Sequence, residues 1–78
     1  QMPEMLVQGD ADGGIPLAVL LRETGLAKSS SEARSFISQG AVRINGDLET
    51  DLQYRVNSGE TRVFQCGKKR FVRVTVSN

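Results

Sequence analysis

Ten lysines and arginines, nine acids, one cysteine and no histidine limit the chemistry open to this 78-residue chain. Cys66 alone forms no internal disulfide and no Cys/His zinc set, and histidine, the commonest general base, is missing. With no nucleophile–base pair, metal set or phosphate-binding glycine loop in the sequence, no catalytic residue, metal or cofactor is expected. Cys66 reads as a small strand residue. What remains is cation chemistry, and the cations are grouped. Residues 1–15 carry Glu4, Asp10 and Asp12 for a net −3, and residues 47–60 carry Asp47, Glu49, Asp51 and Glu60 against Arg55, also −3. Residues 16–46 set Arg22, Lys28, Arg34 and Arg43 against Glu23 and Glu32 for +2. Residues 61–78 hold Arg62, Lys68, Lys69, Arg70 and Arg73 with no acid, +5. A net charge of +1 thus conceals a local asymmetry suited to a polyanion, because attraction to phosphates follows local field.

Such residues act only if the chain positions them. Seventy-eight residues make one domain at most, with a modest core and no room for a large enclosed active site. A hydrophobic content of 38% with 24% charged residues predicts folding rather than disorder. No apolar run reaches the roughly 20 residues that span a bilayer, and no signal-peptide pattern opens the chain. The expectation is a cytoplasmic protein without membrane contact.

The opening segment to Gly14 has no steady period and is rich in Gly and Asp, so residues 1–14 read as a flexible linker from an upstream domain and residues 15–78 as the folded domain. The start at Gln1 rather than Met fits an excised fragment. From Pro16, a residue suited to the first helical position, Leu17, Leu20, Leu21 and Thr24 keep helical spacing until Gly25. Ser29 with Glu32 three positions on forms a capping box. The second helix buries Ala33, Phe36 and Ile37, turns Ser31, Arg34, Ser35 and Ser38 outward, and ends at Gly40. The period then becomes two: Val42 and Ile44 lead to an Asn45-Gly46 hairpin turn, and Leu52, Tyr54 and Val56 alternate as a further strand. After an Asn57-Ser58-Gly59 turn, the runs Thr61–Cys66 and Phe71–Val76 form a last hairpin, Val72, Val74 and Val76 sharing one face, with the basic tip Gly67-Lys68-Lys69-Arg70. The predicted fold class is α+β, a helical hairpin packed on a small, mostly antiparallel β-sheet.

On that scaffold Arg34 stands on the polar face of the second helix, where a guanidinium can fork onto two phosphate oxygens. Lys28 precedes the same helix, and Ser30 and Ser31 offer hydroxyls and N–H groups at its positive end. Arg43 and Asn45 share the strand face opposite Val42 and Ile44, which could carry the patch onto the sheet. Lys68, Lys69 and Arg70 form a second basic group. Each has a plainer reading: capping accounts for Ser29 and Glu32, and a charged turn can simply keep an edge hairpin soluble. Arg22, Arg43 and Arg73 are left open between the two.

Pro16-Leu17-Ala18-Val19-Leu20-Leu21, Thr24-Gly25-Leu26-Ala27-Lys28-Ser29-Ser30-Ser31-Glu32-Ala33-Arg34, then Ile37 and Gln39-Gly40-Ala41-Val42-Arg43-Ile44-Asn45-Gly46 resemble the RNA-binding domain named after small-subunit ribosomal protein four. Within that superfamily, Gly67-Lys68-Lys69-Arg70-Phe71 makes the chain most similar to the C-terminal domain of bacterial-type tyrosyl-tRNA synthetases. The resemblance implies the alpha-L RNA-binding motif, with the helical hairpin and following strand gripping structured RNA. It further implies a tRNA partner held by its anticodon stem and long variable arm. The catalytic domain would lie upstream in the same polypeptide, the parent would be a homodimeric tyrosine-tRNA ligase, and this fragment would be a monomer. ATP chemistry would belong to the parent, whose ATP-site signature needs histidines. Ser35 departs from the pattern, which often has a second basic residue there, and this shifts weight to the C-terminal bases. Tyr54, Phe36, Phe64 and Phe71 sit in apolar patterns, which favours recognition of folded RNA by shape and phosphate over base stacking. Two alternatives stand: the same module in an rRNA pseudouridine synthase or ribosome-associated factor, and a protein–protein docking domain meeting an acidic partner.

Overall fold

The computed structural model describes residues 2–77; Gln1 and Asn78, the outer ends of the expected linker and domain, lie outside the described residues. Helix α1 (Leu17–Glu23) buries Leu17, Ala18, Leu20 and Leu21. Pro16 precedes it as the N-cap, in extended conformation, one position earlier than the helical spacing predicts. The cause is pairing: Pro16 closes strand β2 (Gly14–Pro16), whose register partner is Arg55. Thr24, expected in the apolar stripe, is half-buried and turns its hydroxyl back onto the Leu20 carbonyl at 2.9 Å. Helix α2 (Ser30–Ser38) buries Ala33 and Ile37, with Phe36 half-buried against the same core.

Both helices cover one face of a sheet. Strand β1 (Glu4–Gln8) lies at one edge, followed by β7 (Arg70–Ser77), β6 (Thr61–Cys66), β3 (Val42–Ile44) and β4 (Asp47–Leu48) at the other. Neighbours are antiparallel except β1 with β7, so the fold is the predicted α+β arrangement on a mostly antiparallel sheet. The β3–β4 turn is the one foreseen at Asn45-Gly46: both residues have positive φ, 52° and 88°, as a two-residue primed turn requires. Val42, Ile44, Phe64, Cys66, Val72, Val74 and Val76 are buried toward the helices, as the alternation of the last strand predicts. These apolar faces, closed by α1 and α2, form the core that positions everything else.

Two expectations are corrected. Much of the segment read as a linker is structured: β1 runs parallel to β7 from Glu4 opposite Arg73 to Gln8 opposite Ser77. Only Val7 of the strand is buried, so the local pattern is faint, and Glu4 and Arg73 lie 69 positions apart, so no turn announces the pairing. Gly14, the last residue of the expected linker, is likewise not flexible; it is buried so close to β5 (Arg55–Asn57) that an added Cβ would sit 2.5 Å from the Val56 carbonyl. The strand expected over Leu52–Val56 is shorter and displaced. Asp51 draws the chain into a turn, its carboxylate accepting the Gln53 N–H (2.8 Å) and its carbonyl the Tyr54 N–H (3.1 Å). Leu52 is therefore 43% exposed, and β5 pairs with β2 in a separate two-stranded ribbon.

Candidate nucleic-acid interface

The start of α2 is held by short-range bonds. Ser29 caps it, its hydroxyl accepting the Glu32 N–H at 3.1 Å. Glu32 reaches back one residue further than a reciprocal box would, and its carboxylate accepts the Lys28 N–H at 2.8 Å. Lys28 thereby has a fixed backbone and an exposed side chain. The first intrahelical bond runs from the Ala33 N–H to the Ser29 carbonyl (3.0 Å), so the N–H groups of Ser30 and Ser31 precede it. Arg34 stands one turn along, three positions after Ser31 and exposed with it. Ser30 is partly occupied, because Arg22 of α1 donates Nη1 to its hydroxyl at 3.2 Å.

The basic tip of the β6–β7 hairpin is anchored beside both ends of α2. Behind the helix, the Gly67 N–H donates to the Ala41 carbonyl at 2.9 Å. Ahead of it, Arg70 Nη2 donates to the Gly25 carbonyl at 2.6 Å, three residues before Lys28. Lys68 and Lys69, between these anchors, are exposed. Structure thus joins two basic groups that are some forty residues apart in sequence.

Arg43 and Asn45 do not join them. Val42 and Ile44 point into the core beneath the helices, so Arg43 points to the opposite sheet face, where its Nη1 donates to the Gly46 carbonyl at 3.2 Å. Asn45 serves the turn: its side-chain oxygen accepts the Val63 N–H (2.9 Å) and its own N–H donates to the Val63 carbonyl (2.8 Å).

The ten cations sort by partner. Arg22, Arg55, Arg62 and Arg73 are in ion pairs with Glu23, Asp10, Glu60 and Glu4. Arg43 and Arg70 donate to backbone carbonyls. Lys28, Arg34, Lys68 and Lys69 have no hydrogen-bond or ion-pair partner among the described side chains, and all four lie on α2, just before it, or on the tip anchored beside it. The hydrogen bond from Arg55 holds the Asp10 carboxyl below its ordinary range, and Arg62 does the same to Glu60. Cys66 is pushed upward by burial and stays a thiol at neutral pH.

A family model described as S4 domain matches residues 15–61, from the middle of β2 to the first residue of β6. This chain belongs to the S4 domain family. The tyrosine-tRNA ligase of Thiobacillus denitrificans is 45% identical over 75 residues, which cover 96% of this chain and 19% of the ligase. That of Colwellia psychrerythraea is 41% identical over 76 residues, covering 97% of this chain and 19% of the ligase. The chain spans about a fifth of the length of these curated relatives, 19% in both cases. A solution structure of a tyrosyl-tRNA synthetase C-terminal domain superposes with a TM-score of 0.73 at 26% identity, covering 95% of this chain and 78% of that one. Both levels of the sequence resemblance, superfamily and synthetase C-terminal domain, are therefore met.

Within this S4 domain one residue that sequence reasoning left undecided belongs beside the site. Arg22 touches Ser30 at the start of α2, and its place in the last turn of α1 was the available signal. No local spacing reveals that Arg70 reaches Gly25, a contact across 45 positions.

Proposed function

We propose that this S4 domain binds tyrosine tRNA on behalf of a tyrosine-tRNA ligase, with catalysis in an upstream part of the same cytoplasmic, homodimeric enzyme. The reading is carried by one observation: the four cations left without partners among the described residues lie on α2, just before it, or on the hairpin tip anchored beside it. Arg34 supplies a planar fork for phosphate oxygens, Lys28 and the two tip lysines supply point charges, and the N–H groups of Ser30 and Ser31 meet an anionic oxygen at the helix end. Four phosphate contacts correspond to a slope of log K against log salt of about −3 to −4. Such a surface reads the shape of a folded backbone, which suits the anticodon stem and long variable arm as the elements held. The names of the relatives support tyrosine tRNA over the targets of other RNA-modifying or ribosome-associated proteins.

Binding at rising salt is to be measured for tyrosine tRNA, a tRNA lacking the long variable arm, and an acidic protein. Tightest binding to tyrosine tRNA with the steep slope is expected. Preference for the acidic protein would replace the RNA reading with protein docking, and equal binding of both tRNAs would remove the variable arm from it.

A further inference from the structure

We propose that Arg70, which the sequence groups with the phosphate-binding tip, acts instead as a positioning residue that locks the tip and the loop before α2 into one rigid surface. The inference rests on the RNA reading above and assigns Arg70 a role within that site. Its guanidinium is already committed: Nη2 lies 2.6 Å from the Gly25 carbonyl. That carbonyl follows the C-cap of α1, where the helix presents acceptor groups and a cation is favoured. A charge-assisted bond to it is stronger than a neutral one.

The loop that Arg70 grips is fixed along its length. Leu26 and Ala27 are buried, the Ala27 N–H donates to the Leu21 carbonyl at 3.0 Å, and the Lys28 N–H is held by Glu32. On the other side, Arg70 is paired in register with Cys66, and Gln65 Nε2 donates to the Gly67 carbonyl at 2.8 Å within the turn. Arg70 thus makes a direct side-chain bond between two locally ordered pieces, one presenting Lys28 and the other Lys68 and Lys69. Phosphates on a folded RNA are fixed in space, and two cation groups held in one frame bind them without first losing relative freedom.

The two roles separate in a salt titration. A direct phosphate contact contributes about 0.9 to the slope of log K against log salt, whereas a positioning residue changes affinity and leaves the number of contacts unchanged. For the 78-residue chain with tyrosine tRNA, Arg70→Ala is expected to weaken binding roughly three- to tenfold with the slope changed by less than about 0.3. In the free protein the same variant should shift the backbone amide resonances of Leu26, Ala27 and Lys28. Lys69→Ala, the direct-contact comparison, should lower the slope by about 0.9 and leave those amides in place. Arg73→Ala controls for loss of one charge at a cation already paired with Glu4. A slope loss near 0.9 for Arg70→Ala, unmoved amides, or unchanged affinity each overturns the proposal. Absence of tRNA binding by the unaltered chain sinks the RNA reading instead, and the amide shifts still report whether Arg70 holds the loop.

Discussion

Along the β1 edge and the β2–β5 ribbon, cations meet acids: Arg55 Nη2 lies 2.9 Å from both carboxylate oxygens of Asp10, and Arg73 reaches Glu4 at 3.4 Å. Nearby, Arg62 is shared between Glu60 at 2.8 Å and the Tyr54 hydroxyl at 2.7 Å. On α2 itself and on the hairpin tip the pattern reverses. Glu32 is the acid of that helix, and its carboxylate is used on the Lys28 backbone rather than on a cation. Two of the four matched pairs tie distant segments together, Arg55 to Asp10 across 45 positions and Arg73 to Glu4 across 69. Unmatched, exposed cations contribute little to folding and leave their field open to a polyanion. The same residue types therefore divide into a part paired within the protein and a part left exposed.

The largest effect should come from the paired region. Gly14→Ala places a Cβ 2.5 Å from the Val56 carbonyl, and since that obstacle is backbone, β2 and β5 must separate. Overpacking of this kind costs roughly 1–3 kcal/mol, measured by urea denaturation, while the salt slope of the folded fraction stays unchanged. A lost slope in this variant would mean that the two regions are not separable. Next, Lys28→Ala with Arg34→Ala should lower the tRNA salt slope by about 2 and leave stability within about 0.5 kcal/mol. An unchanged slope would remove α2 from the site. Ser29→Ala should cost about 1 kcal/mol through loss of the bond to the Glu32 N–H, read in the same denaturation experiment. Its effect on the slope should be smaller than that of Lys28→Ala, because the cap shapes the helix end without touching phosphate.

The smallest effect is on pH. Asp10 and Glu60 both titrate lower in the folded protein than in the unfolded chain, so they bind fewer protons when folded. Their stabilising contribution is complete above the unfolded carboxylate range, about pH 4, and is lost as pH falls through the lower folded values. Thermal melts between neutral and acid pH should show a shallow acid-side decline, which Arg55→Ala reduces by the share belonging to Asp10.

Most of the fold could be read from local pattern. The helix that begins at Ser29, the Asn45-Gly46 turn and the valine alternation of β7 depend on interactions within a few residues, and such signals survive in the sequence. β1 could not be read so: a parallel strand on an edge, with one buried side chain and a partner at the far end of the chain, leaves almost no local trace. The shortened β5 failed for a related reason, since the Asp51 turn outcompeted an alternation at Leu52 and Tyr54 that strand periodicity alone favours.

For the site, the sequence by itself determined which side chains are cationic and which of them α2 and the last hairpin carry. Only the tertiary structure decided their employment. It set Arg43 on the face away from α2, bound the Asn45 amide to Val63, turned Arg70 onto Gly25, and left Lys28, Arg34, Lys68 and Lys69 without partners among the described residues. Charge type is written residue by residue, whereas pairing depends on which segments meet in space, and here those segments lie as many as 69 positions apart.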